Sequence, residues 1–263
     1  MSDVFAAIQS EDADYGVVPF ENSANGPVDS TLDCLVDQCD QYLSVIALAE
    51  TYVDVRHCLL GLPSSLDKDG LQGITDIYSH PQGLAQCRGF ISSHLSHAEL
   101  HETPSTSEAA RIVSTSGLAT AAAISSELAA QEYHLEVLRN TIQDQRDNQT
   151  RFLILQGDNQ SIKKQPINEH VLLSFSIDHE RPGALADALH VFKRYDLNLT
   201  SINSRPSRQI AWHYLFFVEL DCLGTPEQIA SNLQSAFAAL AAATTGYKQK
   251  GFWRRKGAVA SDG

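Results

Sequence analysis

The sequence predicts an α/β protein in two parts. Three observations carry that expectation. Helix and strand signals alternate through roughly the first 155 residues, a polar stretch with Pro166 runs over 157–169, and a βαββαβ order follows it. A chain of 263 residues is long enough for one large domain or two smaller ones, with a core that needs no disulfide or metal. Its 43% hydrophobic and 19% charged residues are a globular composition, not a disordered one.

Taken in order, a helix over 3–10 runs into a short buried strand over 13–19, stopped by Pro19. Because α/β units usually open on a strand, this start reads as a point partway into a domain. A dense turn signal at Glu21-Asn22-Ser23-Ala24-Asn25-Gly26-Pro27 precedes a helix over 31–38, capped by Asp29 or Ser30. Strands are expected over 44–48, 57–60 and 74–78. Pro81 suits the first turn of a helix over 82–92, which begins beneath His80. Ser105, Thr106 or Ser107 caps a helix over 108–113. The segment 120–124 is ambiguous, since alanine favours helix while the alternation asks for a strand. A helix over 125–131 and a strand over 153–155 close the first part. The second part reads as strand 171–177, helix 183–195, strands 199–204 and 212–220, helix 226–242 and strand 247–252, a ferredoxin-like order. A frayed tail is expected from 254 to 263.

With 19 basic against 32 acidic residues the formal charge is −13, so a phosphate backbone is repelled and no nucleic-acid partner is expected. An anionic ligand would need a local pocket of Arg, His and N–H groups. No apolar run approaches the roughly 18 residues of a membrane span, and the start lacks a secretory signal. Cys34, Cys39, Cys58, Cys87 and Cys222 form no CxxC pair and fit reduced thiols of a cytoplasmic protein.

Three polar clusters stand at strand ends or helix starts: Glu21-Asn22-Ser23, Ser79-His80-Pro81-Gln82 and Ser105-Thr106-Ser107. Helix starts attract carboxylates through unpaired N–H groups. A fourth cluster, Asn148-Gln149-Thr150-Arg151-Phe152, enters the last strand of the first part, and Arg151 can grip a carboxylate bidentately. Singly, these are a turn, two helix caps and a surface or salt-bridged arginine. Jointly, they suit a small anionic organic substrate better than a metal or phosphate. His94, His97 and His101 have spacing for one helix face, but that helix ends before His101 and no acidic or Cys partner converges, so no metal is expected.

In their order these residues resemble the prephenate dehydratase family. The resemblance rests on Tyr15 to Ser23 with Gly26 and Thr31-Leu32-Asp33, His57-Cys58-Leu59-Leu60, Tyr78 to Gln82, Ser105 to Ala110, and the family's Asn-x-Thr-Arg-Phe element at Asn148 to Phe152. The second part resembles the family's ACT regulatory domain, with Gly183-Ala184-Leu185, Asn198-Leu199-Thr200 and Ser204-Arg205-Pro206 at its motifs. Two departures stand out. The family's opening Gly-Pro-x-Gly strand and the helix after it do not precede Asp3, and Asn203 replaces the Glu of Glu-Ser-Arg-Pro.

The resemblance implies a two-lobed, periplasmic-binding-protein-like catalytic domain over 1–158, a linker over 159–169 and an ACT domain over 170–253. It implies conversion of prephenate to phenylpyruvate, with no cofactor or metal and with L-phenylalanine as effector at a dimer interface, in a homodimer or homotetramer. Thr150 would donate a proton to the departing hydroxyl, Arg151 would hold a carboxylate, and Phe152 would complete the catalytic element. Glu21, Asn22, Ser23, Ser79, His80, Gln82, Ser105, Thr106 and Ser107 would line the cleft. Gly183, Ala184, Leu185, Asn198, Leu199, Thr200, Ser204, Arg205 and Pro206 would bind the effector. Two rivals stay open at this point: an arogenate dehydratase, and a binding module that catalyses nothing.

Overall fold

The computed structural model describes residues 1–37, 41–63, 71–157 and 169–254. They form two compact units, Met1–Val53 with Thr150–Gly263, and Asp54–Gln149. The chain therefore leaves the first unit after Val53 and returns to it at Thr150. The expected linker and tail lie outside the described residues apart from Glu169 and Arg254.

The first unit opens with α1 (Ser2–Gln9), β1 (Tyr15–Asn22), β2 (Gly26–Pro27), α2 (Asp29–Val36) and β3 (Val45–Asp54). The second holds β4 (Cys58–Gly61), β5 (Asp76–Ser79), α3 (Pro81–Gln86), α4 (Arg88–His94), β6 (Glu99–Glu102), α5 (Thr106–Ser116), β7 (Ala121–Ser125), α6 (Glu127–Glu132) and β8 (Glu136–Arg139). The chain returns through β9 (Gln149–Gly157) and continues as β10 (His170–Ser176), α7 (Ala184–Arg194), β11 (Leu197–Pro206), β12 (Tyr214–Cys222), α8 (Pro226–Ala243) and β13 (Gly246–Trp253).

In the second unit a five-stranded sheet runs in the order β6-β5-β7-β4-β8. The ambiguous alanines are its central strand: every residue of β7 is buried, so packing on both faces overrides alanine's helix preference. The expected helix over 82–92 is two helices, α3 and α4, meeting at Cys87. Strands β6 and β8 have no counterpart in the sequence reading. Both are four-residue strands at the sheet's edges and mostly exposed, so neither carries an apolar pattern.

In the first unit an eight-stranded sheet runs β11-β12-β10-β13-β3-β9-β1-β2. Pro19 does not stop β1. It sits inside the strand opposite Phe152, and the register slips between Pro19 and Glu21, a bulge that absorbs the missing N–H. The last four strands to form in the chain keep the expected ferredoxin-like order. They join the rest through one parallel bridge, Gly251 to Ala47. A Cβ on Gly251 would fall 2.5 Å from the Ala47 carbonyl oxygen, so only glycine permits that approach.

Strand periodicity then divides the second part's sheet into two faces. Val171, Leu173 and Phe175 of β10 and Val218 and Leu220 of β12 pack under α7 and α8, with Phe192, Ile229, Leu233 and Leu240. The alternate residues, Leu172, Phe217 and Trp253, instead share a core with Phe5, Ile8, Leu32, Val45 and Leu155. The helix-free face is thus buried on the α/β portion of the same unit. Each fully buried large side chain there contributes about 1.5–3 kcal/mol. No helix among the described residues is long and apolar enough to cross a membrane.

Candidate active site

Thr150 and Asn22 face each other across the antiparallel β1–β9 pair. The Asn22 side-chain amide donates to Thr150 Oγ1 at 3.0 Å. Asn22 Oδ1 accepts from the backbone N–H groups of Ala24 and Asn25, at 3.1 and 3.0 Å, which fixes which end of the amide meets the threonine. Since Oγ1 is the acceptor in this bond, the threonine's own proton can be directed to another acceptor. Thr150 and Asn22 are only partly buried, so a ligand can reach them.

The next residue points the other way, as a strand requires. Arg151 is 8% exposed. Its guanidinium donates to Glu219 of β12 at 2.6 Å, lies 3.3 Å from Glu21 and 3.7 Å from Glu50, and stacks over the Phe20 ring. Burial disfavours its charge, but the Glu219 carboxylate, aided by Glu21 and Glu50, outweighs that and raises its pKa. Glu219 in turn accepts from His170 Nε2 at 2.9 Å, while His170 Nδ1 meets Asp221 at 2.6 Å. A ring with a carboxylate on each nitrogen must donate twice, so His170 is an imidazolium. Burial opposes that charge, yet Glu219 and Asp221 lift its pKa above 6.5.

In the second unit the parallel strands β5 and β6 end at the starts of α3 and α5. His80 caps α3, with Nδ1 accepting from the Gln82 N–H at 3.2 Å, which leaves Nε2 as the protonated nitrogen of a neutral ring. Ser105 caps α5 by accepting from the Glu108 N–H at 3.0 Å. Helix geometry gives the Thr106 and Ser107 N–H groups no intrahelical acceptor.

The prephenate dehydratase family model matches residues 1–160 and the ACT domain model matches 171–238. This chain belongs to the prephenate dehydratase family. The Methanocaldococcus jannaschii prephenate dehydratase is 35% identical over 219 residues, covering 83% of this chain and 75% of that protein. The bifunctional chorismate mutase/prephenate dehydratase of Aquifex aeolicus is 36% identical over 88% of this chain, which spans 60% of that longer relative. Among solved structures, the Arthrobacter aurescens prephenate dehydratase in complex with L-Phe superposes with a TM-score of 0.81 at 26% identity, covering 97% of this chain and 79% of that one. The quorum-quenching acylase GqqA superposes with a TM-score of 0.80 at 26% identity, covering 98% of this chain and 88% of that one.

Against the family's motifs, the structure pairs Asn22 with Thr150 across β1 and β9, with Ser23 next along the chain and Phe152 two residues further along β9, opposite Pro19. It corrects three assignments. Arg151 cannot grip a substrate carboxylate, because its guanidinium is already held by protein carboxylates on the opposite strand face. Glu21 belongs to that face as Arg151's cross-strand partner. Ser79 is fully buried and donates to the Ile124 carbonyl at 2.7 Å, so it ties β5 to β7 instead of meeting a ligand.

One effector assignment changes as well. Arg205 pairs with Asp29 and Asp33 of α2 at 2.9 and 2.8 Å, so its charge is engaged within the chain. Gly183 stands in open space, with nothing within 4 Å of where its Cβ would be. Its φ of 83°, left-handed, is what demands glycine at the start of α7. Ala184 is buried, and its N–H donates to the Arg181 carbonyl at 3.2 Å. Leu185 packs against the α7–α8 core. Asn198, Thr200, Ser204 and Pro206 line one exposed face of β11, with Leu199 on the other. Asn203 donates to Ser201 Oγ at 3.2 Å, a local bond in place of the family's acidic side chain.

Helix α4 ends at His94, and His101 is a β6 residue stacked on Tyr78, so the three histidines share no helix face. Asp76, Glu99 and His101 each bring a ligand atom within 4.8 Å of one another, but His101 is already hydrogen-bonded to Asp76 at 2.8 Å. A separate cavity of about 540 Å³, lined by Phe175, His179, Ile210, His213, Tyr214 and Tyr247 among others, lies at one end of the ACT sheet and touches none of the motif residues. The cluster of Glu219 and Asp221 with His170 and Arg151 had no sequence signal, because the two cations that Glu219 holds are 49 and 68 residues away from it along the chain.

Proposed function

We propose that this chain converts prephenate to phenylpyruvate, releasing CO2 and the ring hydroxyl as water, under feedback by L-phenylalanine bound to its ACT domain. The observation that carries this reading is the Asn22–Thr150 hydrogen bond. An alcohol is a weak acid, so Thr150 helps only if its proton is aimed at the leaving oxygen as the C–O bond breaks. Asn22 supplies that aim: its N–H occupies Oγ1 and polarises the O–H outward. The aromatic product makes the reaction steeply downhill, and a million-fold acceleration asks for about 8 kcal/mol.

With Arg151 engaged by protein carboxylates, the anion-binding groups we propose within the second unit are His80 Nε2–H, Gln82 and the Ser105-Thr106-Ser107 start of α5. Helix-terminal N–H groups and neutral donors can hold an anion without a full counter-charge. The Arthrobacter complex with L-Phe supports the effector reading, and the family resemblance assigns that role to Gly183, Ala184, Leu185, Asn198, Leu199 and Thr200. The reading carries with it a cytoplasmic homodimer or homotetramer. Free thiols at Cys34, Cys58, Cys87 and Cys222 fit a reducing compartment, and burial pushes the Cys87 and Cys222 pKa values up to about 12.

The test is direct. Purified full-length chain is mixed with prephenate, and phenylpyruvate is followed by its ultraviolet absorbance in alkali. Saturable product formation, lowered by added L-phenylalanine, is expected. A folded chain that forms no phenylpyruvate ends the proposal.

A further inference from the structure

Glu219 is 2% exposed, and no motif singles it out. It nonetheless contacts both the effector strand, β11, and the catalytic strand, β9. On one side, the β11–β12 register slips between Leu199 and Ser201, so Thr200 is an extra residue opposite Glu219. The Thr200 hydroxyl donates to the Glu219 carbonyl at 3.2 Å. On the other side, the Glu219 carboxylate holds Arg151 at 2.6 Å, and Arg151 is the peptide neighbour of Thr150.

We propose that Glu219 is a positioning residue that transmits effector occupancy of β11, through Arg151, to the placement of the Thr150 hydroxyl. The inference rests on the dehydratase reading for what Thr150 does and for which strand takes the effector. A bulge is a local two-against-one mismatch that can be present or smoothed out. A ligand engaging Asn198, Leu199 and Thr200 acts directly on that mismatch, and any change moves the Glu219 backbone. Parting its buried carboxylate from arginine would break a charge-assisted hydrogen bond of 2.6 Å out of reach of water, so Arg151 follows. The shift then arrives one peptide from Thr150, where a displacement of under an ångström spoils proton delivery. Glu219 is not alone in seating the two portions together. Arg205 with Asp29 and Asp33, and the apolar contacts of Leu172, Phe217 and Trp253, do that independently.

Hydrogen exchange on the full chain, with and without saturating L-phenylalanine, tests this in wild type and in Glu219→Gln, a variant that keeps side-chain shape. In wild type, phenylalanine should alter exchange at both β11 and β9. In Glu219→Gln the β11 response should persist and the β9 response vanish. In parallel, the ratio of inhibited to uninhibited turnover at saturating effector should lose most of its effect, at least about fivefold, the lower end of ordinary coupling energies. A folded Glu219→Gln whose β9 response and inhibition ratio match wild type overturns the proposal, as does a wild type in which β9 never responds. If Glu219→Gln does not fold, Glu219→Asp, which keeps the charge and shortens its reach to Arg151, is read by the same criteria. A chain without prephenate turnover, whose β9 response still depends on Glu219, would sink the dehydratase reading and leave the coupling standing.

Discussion

The two faces of β9 differ in almost every physical respect. Thr150 faces a neutral, partly exposed setting and is held by one side-chain amide. Arg151, its neighbour, faces a buried cluster in which two cations, Arg151 and His170, are shared among Glu21, Glu50, Glu219 and Asp221. The contrast teaches that a contiguous motif is not a contiguous site. A period of two sends adjacent strand residues to opposite faces, so one face serves chemistry and the other fastens the strand to the ACT sheet.

Substitutions on each face should therefore separate stability from turnover. The largest effect is expected at Arg151. Arg151→Ala removes the guanidinium from a buried cluster of carboxylates, leaving Glu219 held by His170, and breaking such a cluster costs about 3–5 kcal/mol. Denaturant unfolding should show that loss, and a large rise in KM with unchanged stability would instead restore arginine to the substrate. Next comes Thr150→Ala, which should keep its denaturation midpoint and lose about 10²-fold in kcat, or about 2.7 kcal/mol of transition-state stabilisation. A kcat near wild type would remove the threonine from the mechanism.

The smallest expected effect is a pH dependence on the Arg151 face. His170 is held above its unfolded value of 6.5, so its contribution is complete below that pH and is lost as pH rises through the folded value. Glu219 faces both cations. Burial works to raise its pKa, but His170 and Arg151 outweigh that and hold it below 4.5, so its contribution is complete above 4.5 and disappears as pH falls through the folded value. The melting-temperature difference between wild type and His170→Asn should be flat between those pH values and shrink on the alkaline side. A difference that grows with alkalinity would mean the ring is neutral in the folded chain.

Much of the architecture was legible in one dimension. The βαββαβ order, the turn at Glu21 to Pro27, the caps at His80 and Ser105 and the Asn-x-Thr-Arg-Phe element all depend on neighbours a few residues apart, where propensity, capping and periodicity act. What the sequence by itself determined was the order of the main helices and strands and the family. Tertiary structure alone decided whether alanines 121–123 became strand, that Pro19 could ride in a bulge, and that Ser79 and Arg205 were engaged inside the protein. It also decided that Arg151 answers to Glu219, 68 residues along the chain. Those outcomes follow from burial, and burial depends on which distant segments cover a residue, so no local pattern encodes it.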